Sequence, residues 1–413
     1  MFNTTPARQV SLTAIILAVS VMGDSMLYGV LPSHLGDFEL TAGLGAGLVL
    51  SANRWIRLVS NSWAASVYNR FGLRVPLMVS VILAMATTVS YGLFEGFGPL
   101  LMARIGWGIC FSIQIISLYM VVLRESEEYR GRLMGVYNSI FRFGSLVAVI
   151  VGGLLVDTVG IRMAFAMVGV ATIFCLPAVL LIDEDRPGWG KQLENWHVDT
   201  GSKYKGLFDI WTMLLGARSN QSTQNIKRLA VNYTRFTNTF AVSGLVTATL
   251  GLLIRHRIGE SWDLGPIVLG AATLTGLILA TGWASEVGLS IYIGGISDRF
   301  GRRSVLRVCL PVVVFGLLAL IAGNVIVLIL VVPLIFAATT AGKVALDALA
   351  GDLSLDADKA HIMGRYATWA DLGAALGPVA GYALLSVIGL PAIYTLSGLV
   401  VASGLVFYMM TNK

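Results

Sequence analysis

Charged side chains inside long apolar runs are the residues of this sequence whose types and positions could do chemistry. A charge in such a run is costly unless it is paired or in contact with water, so a charge found there is a candidate for function. Carboxylates and cations at these positions suit the transfer of protons and the binding of ions. The charges assigned to such runs are Asp24, Arg54, Arg57, Arg104, Arg142, Glu286, Lys343, Asp347 and Asp371.

Asp24 is a candidate proton carrier because its own apolar run contains no cation. A carboxyl group that moves between wet and dry surroundings changes its affinity for protons, which is the property that a carrier needs. The alternative is a structural carboxylate that Arg54 or Arg104 neutralises from a neighbouring helix.

Arg54 and Arg57 are three residues apart and share one face of a helix, so they cannot neutralise each other. They require an anion from elsewhere, and a carboxylate-bearing substrate would provide one. Lys343 and Asp347, four residues apart, either contact the substrate or neutralise each other. The predicted substrate-binding set also contains polar and aromatic side chains for which packing is the alternative; it consists of Arg54, Arg57, Gln114, Tyr137, Asn138, Lys343, Asp347 and Trp369.

The composition indicates that these residues belong to a membrane protein. Of the 413 residues, 56% are hydrophobic and 13% are charged, against roughly 25% charged in a soluble domain. A helix needs about 20 apolar residues to cross a bilayer. Such runs predict an all-α membrane protein with twelve transmembrane helices, at 10–32, 43–66, 75–94, 99–123, 134–156, 162–182, 231–255, 265–296, 304–323, 325–350, 365–388 and 391–411.

An internal repeat divides these helices into two halves. At an offset of 229 residues, matching glycines form the pairs Gly72 and Gly301, Gly135 and Gly364, Gly144 and Gly373, and Gly152 and Gly381. One register held along the chain indicates a duplication. We predict two pseudo-symmetric six-helix bundles, 1–182 and 231–413, joined by a cytoplasmic linker at 183–230 that could contain an amphipathic helix.

Basic residues lie mostly in alternate loops, which predicts that both termini are cytoplasmic. This asymmetry accounts for the net charge of +6, so membrane lipid is the expected surface partner and nucleic acid is not expected. The three cysteines lie in apolar runs and the four histidines show no ligand spacing, so neither a metal site nor a cofactor is expected. Without a Walker-type phosphate loop, a gradient rather than ATP hydrolysis is the expected energy source, and the chain is not expected to be an enzyme.

A glycine- and arginine-rich loop follows the eighth predicted helix, and a weaker copy follows the second. An aspartate and several arginines at a helix end could form a latch that water can break, which suits a protein that opens and closes at its cytoplasmic face. The predicted cytoplasmic gate consists of Asn69, Arg70, Gly72, Arg74, Gly294, Asp298, Arg299, Gly301, Arg302 and Arg303.

These motifs resemble those of the major facilitator superfamily. The family's cytoplasmic signature is similar to the loop that contains Gly294, Asp298, Arg299, Gly301, Arg302 and Arg303. The run from Arg104 to Gly108 resembles the family motif whose arginine is implicated in proton coupling. Around Pro378, the run from Gly373 to Gly381 is similar to the Gly-Pro motif that proton antiporters carry in their fifth helix. The fifth predicted helix of this chain has no such proline.

The resemblance also implies two contacts between the halves. In the family's architecture the second helix lies against the eleventh and the fifth lies against the eighth, so Arg57 would pair with Asp371 and Arg142 with Glu286. The repeat supports this pattern, because the 229-residue offset relates Arg57 to Glu286 and Arg142 to Asp371, with the charge reversed at both positions.

The preferred interpretation is a proton-coupled antiporter that exports a small organic solute by alternating access, with Asp24 and Arg104 in proton coupling. Its motifs are closest to those of the drug and small-molecule exporter branch, and we expect a monomer in a bacterial inner membrane. Arg54, Arg57 and the missing proline favour an alternative, the import or export of an anionic metabolite or a siderophore. A sensor or assembly protein that reuses the fold is a third interpretation.

Overall fold

The computed structural model describes residues 6–123, 127–183, 222–263, 268–322, 324–353 and 359–411. Up to residue 183, the described residues form α1 (Pro6–Ser20), α2 (Met22–Val30), α3 (Leu44–Phe71), α4 (Arg74–Leu93), α5 (Phe97–Leu123), α6 (Glu127–Val159), α7 (Ile161–Thr172) and α8 (Leu176–Leu180). Short 3-10 turns follow α2, at Leu31–Ser33 and Leu35–Phe38, and another at Ile173–Cys175 joins α7 to α8.

From residue 222 onward, the described residues form α9 (Ser222–Asn238), a π-helix (Thr239–Val246), α10 (Thr247–Ile258), α11 (Ala271–Phe300), α12 (Arg302–Ala319), α13 (Val325–Asp352) and α14 (Lys359–Thr411). A 3-10 turn at Leu320–Ala322 follows α12. Between α10 and α11, strands β1 (Ser261–Asp263) and β2 (Val268–Gly270) form an antiparallel hairpin.

Several of these segments belong to one span. After a turn at Val21, α2 continues α1; α8 continues α7; and the π-helix joins α9 to α10. In contrast, α14 contains two spans, because Gly389 has a φ of 74° and interrupts the helix just before Pro391. Grouped in this way, the described helices form twelve spans, and the predicted all-α, twelve-helix fold is confirmed.

Within the described ranges, eight helical segments are long and apolar enough to cross a membrane, and the bent helix α11 makes a ninth. Charge makes α3 and α12 less apolar than the other long helices, because α3 carries Arg54 and Arg57 and α12 has three arginines in its first two turns. Large apolar side chains such as Phe174 and Val387, which are 78% and 75% exposed, are suited to contact with lipid tails.

The eighth span begins at Ala271 rather than at residue 265, which differs from the prediction. Residues 268–270 instead form β2, in which Gly270 lies opposite Ser261 of β1. Gly259, with a φ of 72°, ends α10 before the hairpin. A turn signal was present in the sequence as Gly265-Pro266, although both residues lie outside the described part of the chain.

The described residues fall into two compact units. The first contains those of Met1–Thr41, Leu48–Glu194 and Leu250–Val287. Its core is built from buried side chains of α1, α4, α5 and α6, including Leu77 and Leu118. This packing is close, as expected for helices that meet across small and branched side chains.

The second unit contains the described residues of Ala42–Gly47, Asn195–Thr249 and Gly288–Lys413. Most of the predicted linker at 183–230, with its possible amphipathic helix, falls on residues 184–221, which lie outside the described part of the chain. The domain boundaries inferred from the sequence therefore stay a prediction.

Candidate functional site

A buried ion pair joins α2 to α5. Asp24 lies in the first turn of α2, and its Oδ1 accepts hydrogen bonds from Nη1 of Arg104 and, at 3.1 Å, from Nδ2 of Asn53 on α3. The side chain of Arg104 is fully buried and that of Asp24 is 12% exposed. Arg104 thus reaches Asp24, and whether the carboxylate carries a proton or only supports packing stays a prediction.

Arg104 also binds acceptors on α2 and α3. Its Nε donates to the carbonyl of Val49 at 3.0 Å, and its Nη2 donates to the carbonyl of Leu50 at 2.8 Å and to the hydroxyl of Tyr28 at 3.1 Å. An arginine does not lose its proton in proteins. Asp24 is therefore the member of the pair that could change its protonation state.

Gly108 lets α5 come close enough to α3 for these bonds to form. A Cβ at this position would lie 2.7 Å from the carbonyl oxygen of Asn53, so a larger residue would force the two helices apart. Gly108 lies one helical turn after Arg104. Within the Arg104 to Gly108 motif, Gly108 thus sets the spacing between α5 and α3 that Arg104 requires for its hydrogen bonds.

Arg57, Tyr137 and Arg142 share one region of the first unit. The guanidinium of Arg57 lies 4.7 Å from the centre of the Phe111 ring, and Tyr137 stacks on Phe141 with the ring centres 5.8 Å apart. Arg142 lies 5.1 Å from the centre of the Phe141 ring. Both guanidiniums are near enough to act electrostatically on the hydroxyl of Tyr137. This region is the candidate site for an anion.

The other substrate-binding candidates of the first unit have different surroundings. Gln114 is buried and donates from Nε2 to the hydroxyl of Ser20 at 3.1 Å. Asn138 is exposed, and Arg54 is half-buried on α3. Gln114 therefore has a hydrogen-bond partner within the first unit, and a role for it in substrate binding stays a prediction.

Arg142 and Glu286 are brought together. The Nε of Arg142 on α6 lies 2.8 Å from Oε2 of Glu286 on α11, and both side chains are about one quarter to one third exposed. Arg57 and Asp371 belong to different units, and their pairing stays a prediction.

Two further contacts of the first unit join residues that are far apart in sequence. Oδ2 of Asp157 accepts the backbone N–H of Thr273 at 2.8 Å, in the first turn of α11. Arg255 donates to the carbonyl of Ser33 and, at 3.0 Å, to Oε1 of Glu260. The sequence interpretation singled out neither residue. A usable signal existed for Asp157, because an aspartate at the carboxyl end of a helix opposes the helix dipole and therefore needs a partner elsewhere.

The second unit contains a cluster of charged and aromatic side chains. Tyr366 donates to Oδ1 of Asp347 at 2.5 Å, and the guanidinium of Arg235 lies 5.7 Å from the centre of the Tyr366 ring. Trp369 meets Phe236 edge to face, with the ring centres 5.8 Å apart. Two predicted substrate-binding residues, Asp347 and Trp369, are therefore close to aromatic and cationic groups of α9.

Polar atoms without hydrogen-bond partners among the described residues lie on the three helices that carry this cluster, α9, α13 and α14. They are both side-chain amide atoms of Asn238, Oγ1 of Thr339 and Nε1 of Trp369. Buried polar groups are normally paired, so such atoms mark places where a ligand or water could bind. Arg235 and Asn238 were missed from the sequence, although Arg235 lies inside a predicted apolar run. Lys343, half-buried on α13, lies one turn before Asp347.

The two predicted gate loops differ in their contacts. Gly72, between α3 and α4, and Gly301, between α11 and α12, have φ values of 73° and 86°, which favour glycine. In the second loop, Arg302 pairs with Asp352 and donates to the carbonyl of Ala348 at 2.9 Å. The second loop is therefore fastened to the end of α13.

The first loop is fastened to the end of the sixth span, since Nε of Arg74 donates to the carbonyl of Ile182 at 2.8 Å. Arg70 and Arg299 lie over the rings of the phenylalanines that follow them, at 5.3 Å and 5.8 Å. The other gate residues are the half-buried Gly294 and the exposed Asp298 and Arg303, together with Asn69, whose side chain lies outside the described part of the structure.

Glycines at every fourth position of α14 pack against the π-helix and its flanks. A Cβ at Gly377 would lie 2.6 Å from the Cα of Gly244, and one at Gly373 would lie 2.5 Å from the carbonyl oxygen of Phe236. The two helices therefore approach each other backbone to backbone. The glycines of the run from Gly373 to Gly381 therefore have an identified neighbour, residues 236–249.

We expect Gly377→Ala to lower the free energy of unfolding by about 1–3 kcal/mol, because the added methyl group has no space. The matched control is Gly288→Ala in α11, where a Cβ would meet nothing within 4 Å. That control should change the same free energy by less than about 1 kcal/mol, in the stabilising direction. Thermal unfolding of both purified variants measures the difference, and equal melting temperatures would contradict it.

Comparison with known proteins identifies the family of this chain. The profile of the Major Facilitator Superfamily matches residues 13–287 and 230–413. A probable vesicular acetylcholine transporter of Danio rerio is 27% identical over 209 residues, which are 47% of this chain and 42% of the relative. The synaptic vesicular amine transporter of Homo sapiens is 26% identical over 155 residues, or 37% of this chain and 28% of the relative. The chain thus matches less than half the length of these relatives.

Solved structures share the fold at low sequence identity. The nucleoside transporter NupG has a TM-score of 0.76 at 11% identity, over 99% of this chain and all of the other. A POT family transporter in complex with 5-aminolevulinic acid has a TM-score of 0.73 at 13% identity, over 100% and 98% of the two chains. Since the family profile covers both halves of the sequence, this chain belongs to the Major Facilitator Superfamily, and it is a multi-pass membrane protein.

Proposed function

We propose that this chain is a proton-coupled exporter of a small organic solute, with Asp24 as the proton carrier. The observation that carries the proposal is the buried pair of Asp24 and Arg104, whose carboxylate is the only member able to change its charge. Proton binding to Asp24 would cancel the attraction that links α2 to α5. The energy of a proton gradient could in this way bias the two arrangements of a rocking transporter.

The solute class is proposed from the names of the relatives and the chemistry of the second unit. The relatives are named for acetylcholine and amines, which makes organic amines the first class to test. A carboxylate beside an aromatic ring, as at Asp347 and Tyr366, suits an ammonium group. We further propose cytoplasmic termini, which the distribution of basic residues supports, together with a bacterial inner membrane and a monomer.

Reconstitution into vesicles with an acidic interior tests the proposal. A proton-coupled exporter in the productive orientation should accumulate a quaternary ammonium solute inside such vesicles, and a pH-sensitive dye should report protons leaving with each pulse of solute. Accumulation that persists after an ionophore has collapsed the gradient would contradict coupling. Failure to move any of a panel of amines, dicarboxylates and nucleosides would favour the sensor interpretation instead.

The second candidate function is transport of an anionic metabolite, including a siderophore, in either direction. The observation that favours it is the region where Arg57 and Arg142 lie near Tyr137. A carboxylate there would be attracted by Arg57 and would compete with Glu286 for Arg142, and the interaction would be strong because this part of the protein is apolar.

We expect Arg57→Gln to weaken the binding of a dicarboxylate by about 1.5–3 kcal/mol, the value of a hydrogen bond to a charged group. Arg54→Gln should have an effect in the same direction, since both side chains lie on one face of α3. The binding of a neutral nucleoside should change little in either variant. Arg162→Gln is the control, because the side chain of Arg162 is 74% exposed. Equal losses for anionic and neutral solutes, measured by calorimetry, would contradict the anion site.

A further inference from the structure

A cavity of about 670 Å³ opens where α12 begins. All of its lining residues belong to the second unit. They are Ser297, Asp298, Gly301, Arg302, Arg303, Ser304, Arg307 and Leu349. Three arginines and one aspartate contribute charge, so the lining is basic even though Arg302 already pairs with Asp352.

The first turn of α12 adds backbone donors to this cavity. Gly301, with a φ of 86°, directs the chain into a helix of 18 residues whose first turn begins at Arg302. The first N–H groups of any α-helix have no acceptor within the helix, and the helix dipole favours an anion there. Ser304 and Val305 are the first residues whose N–H groups donate back to Gly301, at 3.1 Å and 3.4 Å.

Ser297 gives an independent indication of a ligand. Its side chain is 2% exposed, and its Oγ has no hydrogen-bond partner among the described residues. A serine within a helix usually donates to a carbonyl three or four residues earlier. A buried hydroxyl that lines a cavity and makes no such bond is left to bind an atom inside that cavity.

The internal repeat shows that these features belong to the second copy alone. The 229-residue offset maps Ser297, Arg302, Ser304 and Arg307 onto Tyr68, Leu73, Val75 and Met78. In place of the unpaired serine, Tyr68 donates to the carbonyl of Ile113 at 2.8 Å. The first copy thus satisfies its own polar group and lacks two of the three arginines. Both copies have the glycine turn, at Gly72 and Gly301. The turn can therefore form without the serine and the two additional arginines of the second loop.

We propose that this cavity binds a phosphate-bearing anion, either the headgroup of an anionic phospholipid or a free phosphate. Its oxygens would accept hydrogen bonds from Ser297, from Arg307 and from the first turn of α12. Phe300 and Val308, next to the lining residues in sequence, are 64% and 65% exposed. Exposed apolar side chains beside a basic cavity suit a position where lipid tails meet lipid headgroups. The proposal does not depend on the transported solute or on proton coupling.

Thermal unfolding of the full chain in a neutral detergent tests the site with defined probes. Short-chain phosphatidylglycerol and inorganic phosphate are the two phosphate arms; dioctanoylglycerol and sodium chloride at equal ionic strength are their controls. Stabilisation by phosphatidylglycerol alone supports the headgroup, and stabilisation by inorganic phosphate as well supports a free phosphate. No stabilisation by either phosphate probe beyond its control would overturn the proposal.

Two variants distinguish the cavity from general charge. We expect Ser297→Ala and Arg307→Gln each to raise the apparent Kd of the stabilising probe about tenfold, as for the loss of one hydrogen bond to a charged group. Arg257→Gln is the matched control, because Arg257 is an exposed arginine at the end of α10. An equal Kd in all four proteins, wild type included, would overturn the assignment to this cavity.

Discussion

Asp24→Asn is expected to abolish the accumulation of solute that a proton gradient drives. Asparagine cannot be charged, so the site no longer alternates between a state paired with Arg104 and an unpaired state. In vesicles with an acidic interior, accumulation should fall to the level of protein-free vesicles, and solute-driven proton release should be lost. Exchange of labelled for unlabelled solute, which needs no net proton movement, should remain measurable.

The same substitution is also expected to destabilise the protein, and a second variant separates the two effects. Without Asp24, the fully buried Arg104 has no opposite charge, and breaking a buried pair in this way costs about 3–5 kcal/mol. The double variant Asp24→Asn/Arg104→Gln removes the remaining charge as well. It should therefore recover part of the lost thermal stability and none of the coupling.

The competing hypothesis gives a different result in the same two measurements. If the pair only supports packing, the double variant should regain coupled transport as it regains stability. An unchanged pH dependence of transport in Asp24→Asn would likewise remove Asp24 from the mechanism. The proton would then have to be carried by another acid, and Asp347 or Asp371 would be the next candidates.

The sequence was sufficient to find the charges of this pair but not their partnership. The free-energy cost of burying a charged side chain can be judged from the apolar segment that contains it. Asp24 and Arg104 could therefore each be recognised separately. Their contact joins residues 80 positions apart on different helices, and helix rotation decides whether it forms. Arg54 was an equally good partner on sequence grounds. The structure resolves the choice because Gly108 brings α5 against α3 at the level of Asn53.

Contacts to the backbone were the least predictable part of the fold. Asp157 accepts a backbone N–H of α11, and Arg255 donates to a backbone carbonyl beyond α2. Every residue has such groups, so no residue type in the partner segment marks the contact. The π-helix had no signal for the same reason, since it changes backbone hydrogen bonding without a change in composition. Asn238, directly before it, was therefore not recognised as a candidate.

Arg142 and Glu286 illustrate the opposite case, in which a repeat supplied long-range information. The charge reversal at the 229-residue offset, combined with the family's helix arrangement, singled out both residues, and the structure places their side chains 2.8 Å apart. Their role in transport is a prediction. A half-buried ion pair between helices from opposite halves of the sequence could hold one state of the cycle, since such helices must separate for the state to change.

We expect Arg142→Glu and Glu286→Arg each to reduce transport roughly tenfold or more, because each variant places like charges together inside an apolar region. The double reversal restores opposite charges and should recover much of the activity, with an interaction energy in thermal stability of about 0.5–3 kcal/mol. The control is the pair of Arg162 and Glu95, which has the same 2.8 Å separation but whose arginine is 74% exposed. Surface pairs contribute about 0–1 kcal/mol, so reversal there should leave transport nearly unchanged. Losses in the Arg142 and Glu286 double variant that equal the sum of the two single losses would show that the pair does not act as a unit.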